Sequence, residues 1–420
     1  MGASIRGCRY IADMRHRFGV SLVVLIALGL LGSASAQAAP KVADTFAVSG
    51  MPGRVTEGPD GNVWFLISGS DDDNEIGMIE PNGTVTEYDS DDLSNGVGIT
   101  TGPDDRLWVT KFQAVASFDP ADPTTVDVTS ITDVAGQDIA IGPDGDLWTP
   151  GDGAVVQIPP DDPGNSTSHP VTGLSGRGIV AGGDGRIWVA DFGGQRIVRM
   201  KTDGDFTEYS LPAGPQGIAA GSKEQVAYTV PNAADTFVGL VTFPDDPLDV
   251  EMPDNSDPTG IVFALDGAYW TARFNANDLG RITRSGDATS LGGFPANSGP
   301  RYLTTGEGGT LWVSLQTTEE IGKVTGVEQP KGPKVKITKE PKSKVKANGG
   351  KAKVKFAFES KTKGAKFKCS LVKQSKGADY SGCRSPETYR LKPGKYEFAV
   401  KAKADGVSGK PAKAKFKVKG

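Results

Sequence analysis

The sequence predicts an all-β protein: a seven-bladed β-propeller followed by a small antiparallel immunoglobulin-like β-sandwich. Three observations lead to this prediction. Of the 420 residues, 56 are Gly and 28 are Pro, which excludes a protein built from long helices. One motif recurs seven times along the first three quarters of the chain. The C-terminal part instead alternates apolar and polar residues, as half-buried strands do.

The repeated motif is an apolar residue, two mostly small residues, Gly, a turn, a second apolar residue and Trp. The Trp falls nine positions after the first apolar residue, and the repeats use all 6 Trp of the protein. The anchors are Trp64, Trp108, Trp148, Trp188, Ala227, Trp270 and Trp312. Their spacing of about 40 residues accommodates four short strands, the size of one propeller blade. We expect each Trp to pack between neighbouring blades.

The two ends of the propeller must meet for the ring to close. After Trp312 the sequence offers only two further strand segments before a Pro-containing linker, so the last blade lacks its outer strand. Residues 44–48 have the pattern of residues 205–209, which precede the fifth repeat. We predict that residues 44–48 supply the missing strand to the blade of Trp312 and remove an exposed sheet edge.

The N-terminus has the pattern of a Sec-type export signal. An apolar run at 20–32 is preceded by four arginines, Arg6, Arg9, Arg15 and Arg17. Small-x-small cleavage patterns follow the run at 34–38. The apolar run is shorter than the roughly 17–25 residues of a membrane-spanning helix. The sequence therefore predicts a secreted or cell-surface protein without a membrane span.

Charge divides the chain near Pro330. Residues 331–420 hold 27 Lys or Arg against 6 Asp or Glu, a net charge of +21, whereas residues 40–330 hold 15 against 44, a net charge of −29. Such a split indicates two domains with different surroundings or partners. The predicted domains are a signal peptide at 1–39, the propeller at 40–328, a linker at 329–334 and the basic sandwich at 335–420.

The basic domain contains Cys369 and Cys383, the only cysteines after Cys8, and in an exported chain they predict a disulfide. Its pattern resembles the immunoglobulin-like repeats of bacterial secreted proteins. Lys occupies nearly every outward position of its strands, which suits either adhesion to an anionic cell-envelope polymer or a soluble spacer. Nucleic acid is disfavoured, because the aromatic residues fall on the inward phase and offer no stacking platform.

Three consecutive motifs mark the repeats: Gly-Ile-x-x-Gly-Pro-Asp-Gly-x-Leu-Trp, then Ile-Gly-x-Ile or Leu-Gly-x-Ile, as at 76–79 and 279–282, and then Thr-Glu-Tyr. In these three motifs the sequence resembles the streptogramin B lyase (virginiamycin B lyase) propellers. The similarity covers residues 44–325. It implies elimination across the ester of a cyclic depsipeptide, with a catalytic His and Glu ligands for a divalent metal at one mouth of the channel. The family's Glu falls three residues after the blade Trp, and its His two residues further on. The matching pairs here contain neither: Ile67/Gly69, Lys111/Gln113, Gly151/Gly153, Asp191/Gly193, Arg273/Asn275 and Leu315/Thr317.

Without that His the sequence offers no evident general base. The only His after residue 39 is His169, which the pattern places in a solvated loop on the outer part of a blade. An exposed carboxylate with a pKa near 4 is poorly matched to abstracting a carbon-bound proton. We therefore expect an exported binding or envelope-associated protein without a cofactor. The alternatives are an active lyase or hydrolase that opens a cyclic ester or lactone with a divalent metal such as Mg²⁺, and a purely structural surface protein.

Strand starts and the loops after each Trp meet at one mouth of a propeller channel. Cations predominate there in an otherwise acidic domain, which favours a small anionic or polyhydroxylated ligand; pairing with rim carboxylates is the alternative. The predicted ligand-binding residues are Arg54, Lys111, Asp138, Arg177, Asp191, Arg273, Asn275, Arg301 and Tyr302. We expect the four arginines among them to point into one opening. The acidic run at 71–75 is either a charged loop tip or a Ca²⁺ site with oxygen ligands.

Overall fold

The structure, a computed structural model, describes residues 39–69, 74–221, 225–231, 236–242, 247–253, 256–328, 332–373, 378–404 and 407–420. The predicted signal peptide lies outside these residues, except for residue 39, as do 71–73 of the acidic run and 329–331 of the predicted linker. No helix in the described ranges is long and apolar enough to cross a membrane.

The first strand, β1, spans Lys41–Ala47, and the next 25 strands complete the propeller. Their bounds in chain order are β2 Met51–Glu57, β3 Val63–Ser68, β4 Asn74–Ile79, β5 Val85–Asp89, β6 Gly98–Thr101, β7 Leu107–Asp119, β8 Asp122–Ala135, β9 Ala140–Ile141, β10 Leu147–Pro150, β11 Asp152–Ile158, β12 Thr167–Ala181, β13 Ile187–Asp191, β14 Arg196–Met200, β15 Phe206–Ser210, β16 Ile218–Ala220, β17 Gln225–Val230, β18 Phe237–Thr242, β19 Leu248–Glu251, β20 Pro258–Phe263, β21 Ala268–Arg273, β22 Asp278–Thr283, β23 Ala288–Leu291, β24 Pro300–Gly306, β25 Thr310–Leu315 and β26 Glu320–Thr325. Single 3₁₀ turns at Asp91–Leu93 and Pro163–Asn165 interrupt the loops.

Four blades are regular antiparallel sheets: β2-β3-β4-β5, β16-β17-β18-β19, β20-β21-β22-β23, and β24-β25-β26 with β1. In the second blade, β7 covers the positions of both the second and the third strand, and Gln113 with its φ of 56° lies where these two segments meet. The third and fourth blades form one seven-stranded sheet, because β12 pairs with β11 through one half and with β13 through the other.

The inner strands contact one another around a closed ring, in the order β2, β6, β9, β12, β16, β20 and β24, with β24 returning to β2. The N-terminal strand β1 pairs with β26 from Lys41 opposite Thr325 to Ala47 opposite Glu320. This confirms the predicted closure of the last blade by the N-terminal segment. The pairing covers an edge that would otherwise expose unpaired backbone groups.

In five blades a turn carboxylate fixes the indole of the blade Trp. The Asp four residues before Trp accepts a hydrogen bond from its Nε1 at 3.1–3.3 Å, in the pairs Asp60–Trp64, Asp104–Trp108, Asp144–Trp148, Asp184–Trp188 and Asp266–Trp270. A Cβ added to Gly142 would lie 2.3 Å from the Trp148 Nε1, so the motif's Gly leaves room for the indole. Trp64, Trp148 and Trp188 are fully buried, which confirms the predicted core role of the blade tryptophans.

The C-terminal domain consists of β27 Lys336–Lys339, β28 Lys344–Lys346, β29 Ala352–Glu359, β30 Lys366–Lys373, β31 Ser381–Cys383, β32 Glu387–Leu391, β33 Gly394–Ala404, β34 Val407–Ser408 and β35 Ala412–Lys419. One sheet has the order β27-β29-β32 and the other β28-β35-β33-β30-β31, with β34 beside β33. Phe356 and Phe398 stack between the sheets, with ring centroids 3.9 Å apart. Cys369 and Cys383 form the predicted disulfide. The sheets are antiparallel except where β28 pairs with β35 in parallel, and an immunoglobulin-like relationship stays a prediction.

The indole–carboxylate contact in blade 4 predicts a large loss of stability on substitution. Asp184→Ala removes the acceptor of Trp188 and the partner of Arg199, 2.7 Å away, in a pair whose side chains are 5% and 9% exposed. Loss of one partner of a buried ion pair costs about 3–5 kcal/mol. Asp60→Ala, which removes the Trp64 bond and two exposed bonds from Asn62 but no Arg pair, should cost less, about 1–2 kcal/mol. Urea unfolding followed by Trp fluorescence measures both, and equal losses would contradict this role of the ion pair.

The disulfide predicts a second, separate loss of stability. Replacing both Cys369 and Cys383 by Ala opens a loop with a sequence separation of 14 residues. In the chain-entropy account, such a loop contributes about 3 kcal/mol to the free energy of unfolding. Thermal unfolding of the double variant, with the oxidised parent as control, should show a lower midpoint for the sandwich. An unchanged midpoint would contradict the entropic contribution.

Candidate functional site

The inner strands enclose a central cavity of about 360 Å³ to which all seven blades contribute. Small and apolar residues such as Val55, Ile99 and Ala219 form most of its wall. The polar side chains in the wall are few: Arg54, Thr100, Asp138, Tyr302 and Thr304. Polar and apolar atoms share the lining about equally. A concave space that combines apolar residues with a few placed polar side chains is the usual form of a small-molecule site.

Arg54, in the first blade, contacts residues of three other blades. Its Nη1 lies 3.0 Å from the Oδ2 of Asp138 in the third blade, and its Nη2 donates to the Arg177 carbonyl in the fourth at 3.2 Å. Its Cζ lies 4.9 Å from the ring centroid of Tyr302 in the seventh. The Nε is buried and donates to no atom of the described residues. Arg54 therefore crosses the channel at the mouth where the inner strands begin.

Two further arginines lie at this mouth with aromatic partners. The Arg177 Cζ is 4.3 Å from the Phe192 ring centroid, and the Arg301 Cζ is 5.7 Å from both Phe274 and Tyr302. Within the described ranges neither guanidinium forms an ion pair. The structure thus brings together five of the nine residues predicted to bind a ligand: Arg54, Asp138, Arg177, Arg301 and Tyr302.

The expectation that Arg273 points into the opening is wrong, and Asp191 is not available there either. Arg273 is 3% exposed and donates to both carboxylate oxygens of Asp278. Asp191 is fully buried and accepts hydrogen bonds from Arg196 and from two backbone amides. In each case a partner five residues away lies directly opposite on the next strand of the same blade, so the charge is compensated locally.

Lys111 lies within β7, three residues after Trp108, and Asn275 lies on the loop that follows β21. The Lys111 ammonium donates to the Asp92 carbonyl at 2.6 Å and is thereby held against the 3₁₀ turn. Asn275 is exposed. Neither side chain contributes to the cavity wall.

Sequence reasoning missed the aromatic residues at the mouth. Phe112, Phe192 and Phe274 each follow their blade Trp by four positions, so the repeat places them at equivalent points. Phe112 is 74% exposed and Phe192 36%. Aligning the residues after each Trp would have revealed this recurrence. The mouth therefore combines cations with exposed apolar surface.

Asp138 is the titratable carboxylate of the cavity. Burial raises its pKa above the ordinary value for Asp, while the Arg54 guanidinium and the Ile139 amide act in the opposite direction. Its side chain retains 18% exposure to the cavity. The charged carboxylate is thus held inside the protein at a net cost that the Arg54 pair only partly offsets.

The predicted position of His169 in a solvated loop is wrong. His169 lies on β12, half-buried, and stacks on Trp148 with ring centroids 5.1 Å apart. Its Nε2 lies 2.9 Å from Gln157 Oε1. Desolvation lowers the pKa of His169, opposed by Asp144 and Asp203. It contributes nothing to the cavity wall, so it has no place in chemistry at the mouth.

The residues at the mouth do not fit a divalent metal. Among the positions three residues after a blade Trp, Asp191 is the one carboxylate, and it is fully buried in contacts with Arg196 and two amides. The cavity wall adds Asp138, which is paired with Arg54. In the first blade, away from the cavity, Glu75, Asp89 and Asp91 bring oxygens together, but Glu75 already accepts the Ser90 amide.

The family model of the virginiamycin B lyases matches residues 29–242. The comparison with curated protein sequences finds no match. Among solved structures, a streptogramin B lyase has 21% identity and a TM-score of 0.59 over 67% of this chain and 96% of that chain. A catalytically inactive Staphylococcus aureus virginiamycin B lyase with quinupristin has 20% identity and a TM-score of 0.61 over 68% and 99%. The extracellular domain of the putative one component system BT4673 from B. thetaiotaomicron has 14% identity and a TM-score of 0.54 over 90% and 58%.

The raised pKa of Asp138 predicts a pH-dependent effect of its removal. A carboxyl whose folded pKa exceeds its unfolded pKa contributes stability at low pH, and this is lost as the pH rises through the folded pKa. Asp138→Asn should therefore become more stable relative to the parent between pH 4 and pH 7. Asp127→Asn, at a carboxylate that is 73% exposed, is the control. Urea unfolding at both pH values decides; an advantage that shrinks with rising pH would contradict the net cost of the buried charge.

Proposed function

Because the chain belongs to the virginiamycin B lyase family, we propose that it uses the family's propeller as an exported, non-enzymatic binding protein. The ligand is a small anionic or polyhydroxylated molecule held at the channel mouth. The observation that carries this proposal is that Arg177 and Arg301 have no ion-pair partner among the described residues, whereas Arg54 between them is fixed to Asp138.

The electrostatics of the mouth favour an anion. A guanidinium stacked on an aromatic ring keeps its N–H edges free to donate to a carboxylate or phosphate, which it matches in a bidentate geometry. Arg177 on Phe192 and Arg301 beside Phe274 have this arrangement. The surrounding domain is strongly acidic, so a local positive potential at the mouth selects anions that reach it.

The cavity wall also suits hydroxyl groups. Tyr302, Thr100 and Thr304 present hydroxyls beside apolar inner-strand residues. Each hydroxyl can both donate and accept, so this surface can accommodate the alternating donors and acceptors of a sugar-like ring. The exposed face of Phe192 adds apolar contact at the rim.

The absence of a catalytic His supports binding over catalysis. Elimination next to a carbonyl needs a base within hydrogen-bonding reach of a carbon-bound proton, with a pKa suited to neutral pH. His169, the one His after residue 39, is stacked on Trp148 and away from the cavity. The mouth residues also do not provide a set of free carboxylates for a metal.

One observation favours the alternative, a lyase that opens a cyclic ester. Burial raises the pKa of Asp138 above the ordinary value for Asp, and the carboxylate faces the cavity. The 3.0 Å pair with Arg54 opposes that role, because it stabilises the charged, less basic form. Incubation with quinupristin and Mg²⁺ distinguishes the two functions: ring opening that Asp138→Asn abolishes would establish the lyase.

Export is part of the proposal and rests on the N-terminal pattern. The arginines followed by an apolar run and small-x-small sites are typical of a cleaved signal. A disulfide between Cys369 and Cys383 suits an oxidising compartment. Cell fractionation followed by N-terminal sequencing of the mature protein tests this part independently of the ligand.

The binding proposal predicts a charge-dependent affinity. Trigalacturonic acid should bind the parent protein, and its methyl ester, which has the same hydroxyls without the charges, should bind at least tenfold more weakly. Arg177→Ala with Arg301→Ala should weaken binding of the acid at least tenfold, because two donors to its carboxylates are lost. The control is Arg186→Ala, in the turn between the inner strand and the Trp strand of blade 4.

Calorimetric titration measures these affinities. Equal binding of the acid and the ester, or unchanged affinity in the double variant, would show that the two arginines are not the anion site. An affinity that falls equally in the Arg186 control would indicate an effect of net charge alone.

A further inference from the structure

The second sheet of the C-terminal domain places lysines directly opposite one another on neighbouring strands. The registers of β28, β35, β33 and β30 give five such pairs: Lys344–Lys417, Lys346–Lys419, Lys395–Lys417, Lys366–Lys403 and Lys368–Lys401. Like charges directly opposite in a sheet destabilise it. Folding alone therefore gives no reason for this arrangement.

These residues form one continuous outer surface, which we call the lysine face. It consists of Lys344, Lys346, Lys366, Lys368, Lys395, Lys401, Lys403, Lys413, Lys415, Lys417 and Lys419. Alternate residues of the same strands, such as Phe398 and Phe416, are buried in the core, so the lysines share the opposite side. All are exposed except Lys401, which is half-buried with its ammonium 4.2 Å from the Tyr380 ring centroid. Glu397 is the one acidic residue on these four strands, and it pairs with Lys413 and Lys415.

The first sheet of the same domain has a different charge pattern. There Lys353 lies opposite Arg390, the one like-charge pair in the registers of this sheet, whereas Lys336 lies opposite Glu359, so a cation faces an anion. Opposite charges in this position stabilise a sheet. Opposed cations are therefore concentrated in the second sheet, which has five such pairs against one in the first.

We propose that the lysine face is a docking surface for a linear anionic polymer of the cell envelope with one phosphodiester in each repeat. An external polyanion would compensate the opposed ammonium groups, for which the described residues of the domain supply no carboxylate partner. The proposal concerns a second site, and it holds or fails independently of ligand binding by the propeller.

The geometry favours such a polymer over a single small anion. Lysines two residues apart on a strand are separated by about 6.6–6.8 Å, and neighbouring strands by about 4.7–4.9 Å, so the charges form a flat lattice. Lys is a hydrated point charge suited to diffuse attraction, whereas bidentate recognition would require Arg, and no Arg occurs on these four strands. A flexible chain with a charge at a similar repeat can lie along the lattice.

The same face is poorly suited to nucleic acid. A flat sheet surface does not enter a duplex groove, and single strands are bound on exposed aromatic rings. The domain's aromatic residues Phe356, Phe398 and Phe416 are buried, and Tyr380 packs against Lys401. Duplex DNA is therefore the comparison ligand in the test.

The test uses the full chain and poly(glycerol phosphate) as probe, measured by surface plasmon resonance over a salt series. The face variant carries Lys366→Gln, Lys403→Gln, Lys395→Gln and Lys417→Gln, which removes charges from three of the opposed pairs. The control variant carries Lys353→Gln, Lys355→Gln, Lys361→Gln and Lys363→Gln, which are exposed residues outside the face. Both variants lose the same net charge.

We expect the parent to bind at low salt and to lose affinity steeply above about 0.15 M salt, where the Debye length is about 8 Å. The face variant should bind at least tenfold more weakly, and the control variant less than threefold. The thermal midpoint of the face variant should equal or exceed that of the parent, because like-charge pairs have been removed. The same measurement shows that the face variant folds.

Equal losses in the two variants would overturn the proposal, because the polymer would then respond to net charge alone. Binding that is insensitive to salt, or absent at low salt, would overturn it as well. Tighter binding of duplex DNA through the same lysines would assign the face to nucleic acid instead.

Discussion

The hydrogen bond from the blade Trp to an Asp in the preceding turn is the interaction on which the rest of the propeller depends. It joins the end of the inner strand to the Trp strand at a fixed distance, with the motif's Gly leaving space for the indole. Five of the seven blades have this contact, and its repetition helps to keep the inner strands of those blades in equivalent positions around the ring. The central cavity, and therefore the candidate site, is a consequence of that equivalence.

The polar residues of the candidate site lie where the sequence departs from the repeat. Seven similar blades present seven equivalent positions at the mouth, yet Arg54, Asp138 and Tyr302 each occur once and meet there. Because each comes from a different blade, no segment of the chain contains the whole site. The closed ring brings residues 54 and 302 together, although they lie 248 positions apart in the sequence.

The repeat spacing was enough to predict the blades and the closure by β1, because both follow from local patterns. The ion pairs of Arg273 and Asp191 could not be predicted in this way. Their pairing with Asp278 and Arg196 depends on the register of the next strand. The position of His169 in the blade was predictable from the sequence. His169 stacks on its blade Trp as Tyr88 and Tyr209 do on theirs, so aligning the outer strands would have placed it in the blade.

Both surfaces for which we propose ligands depart from what stability alone favours. A partly buried ion pair such as Arg54–Asp138 is often no more stable than well-packed apolar residues, and here burial still raises the carboxylate's pKa. The opposed lysines of the C-terminal sheet also oppose folding. Elsewhere the chain satisfies its charges locally, as the Arg199–Asp184 and Arg281–Asp266 pairs show. Local rules are broken most often where a protein binds something, so these two departures are the places to look for ligands.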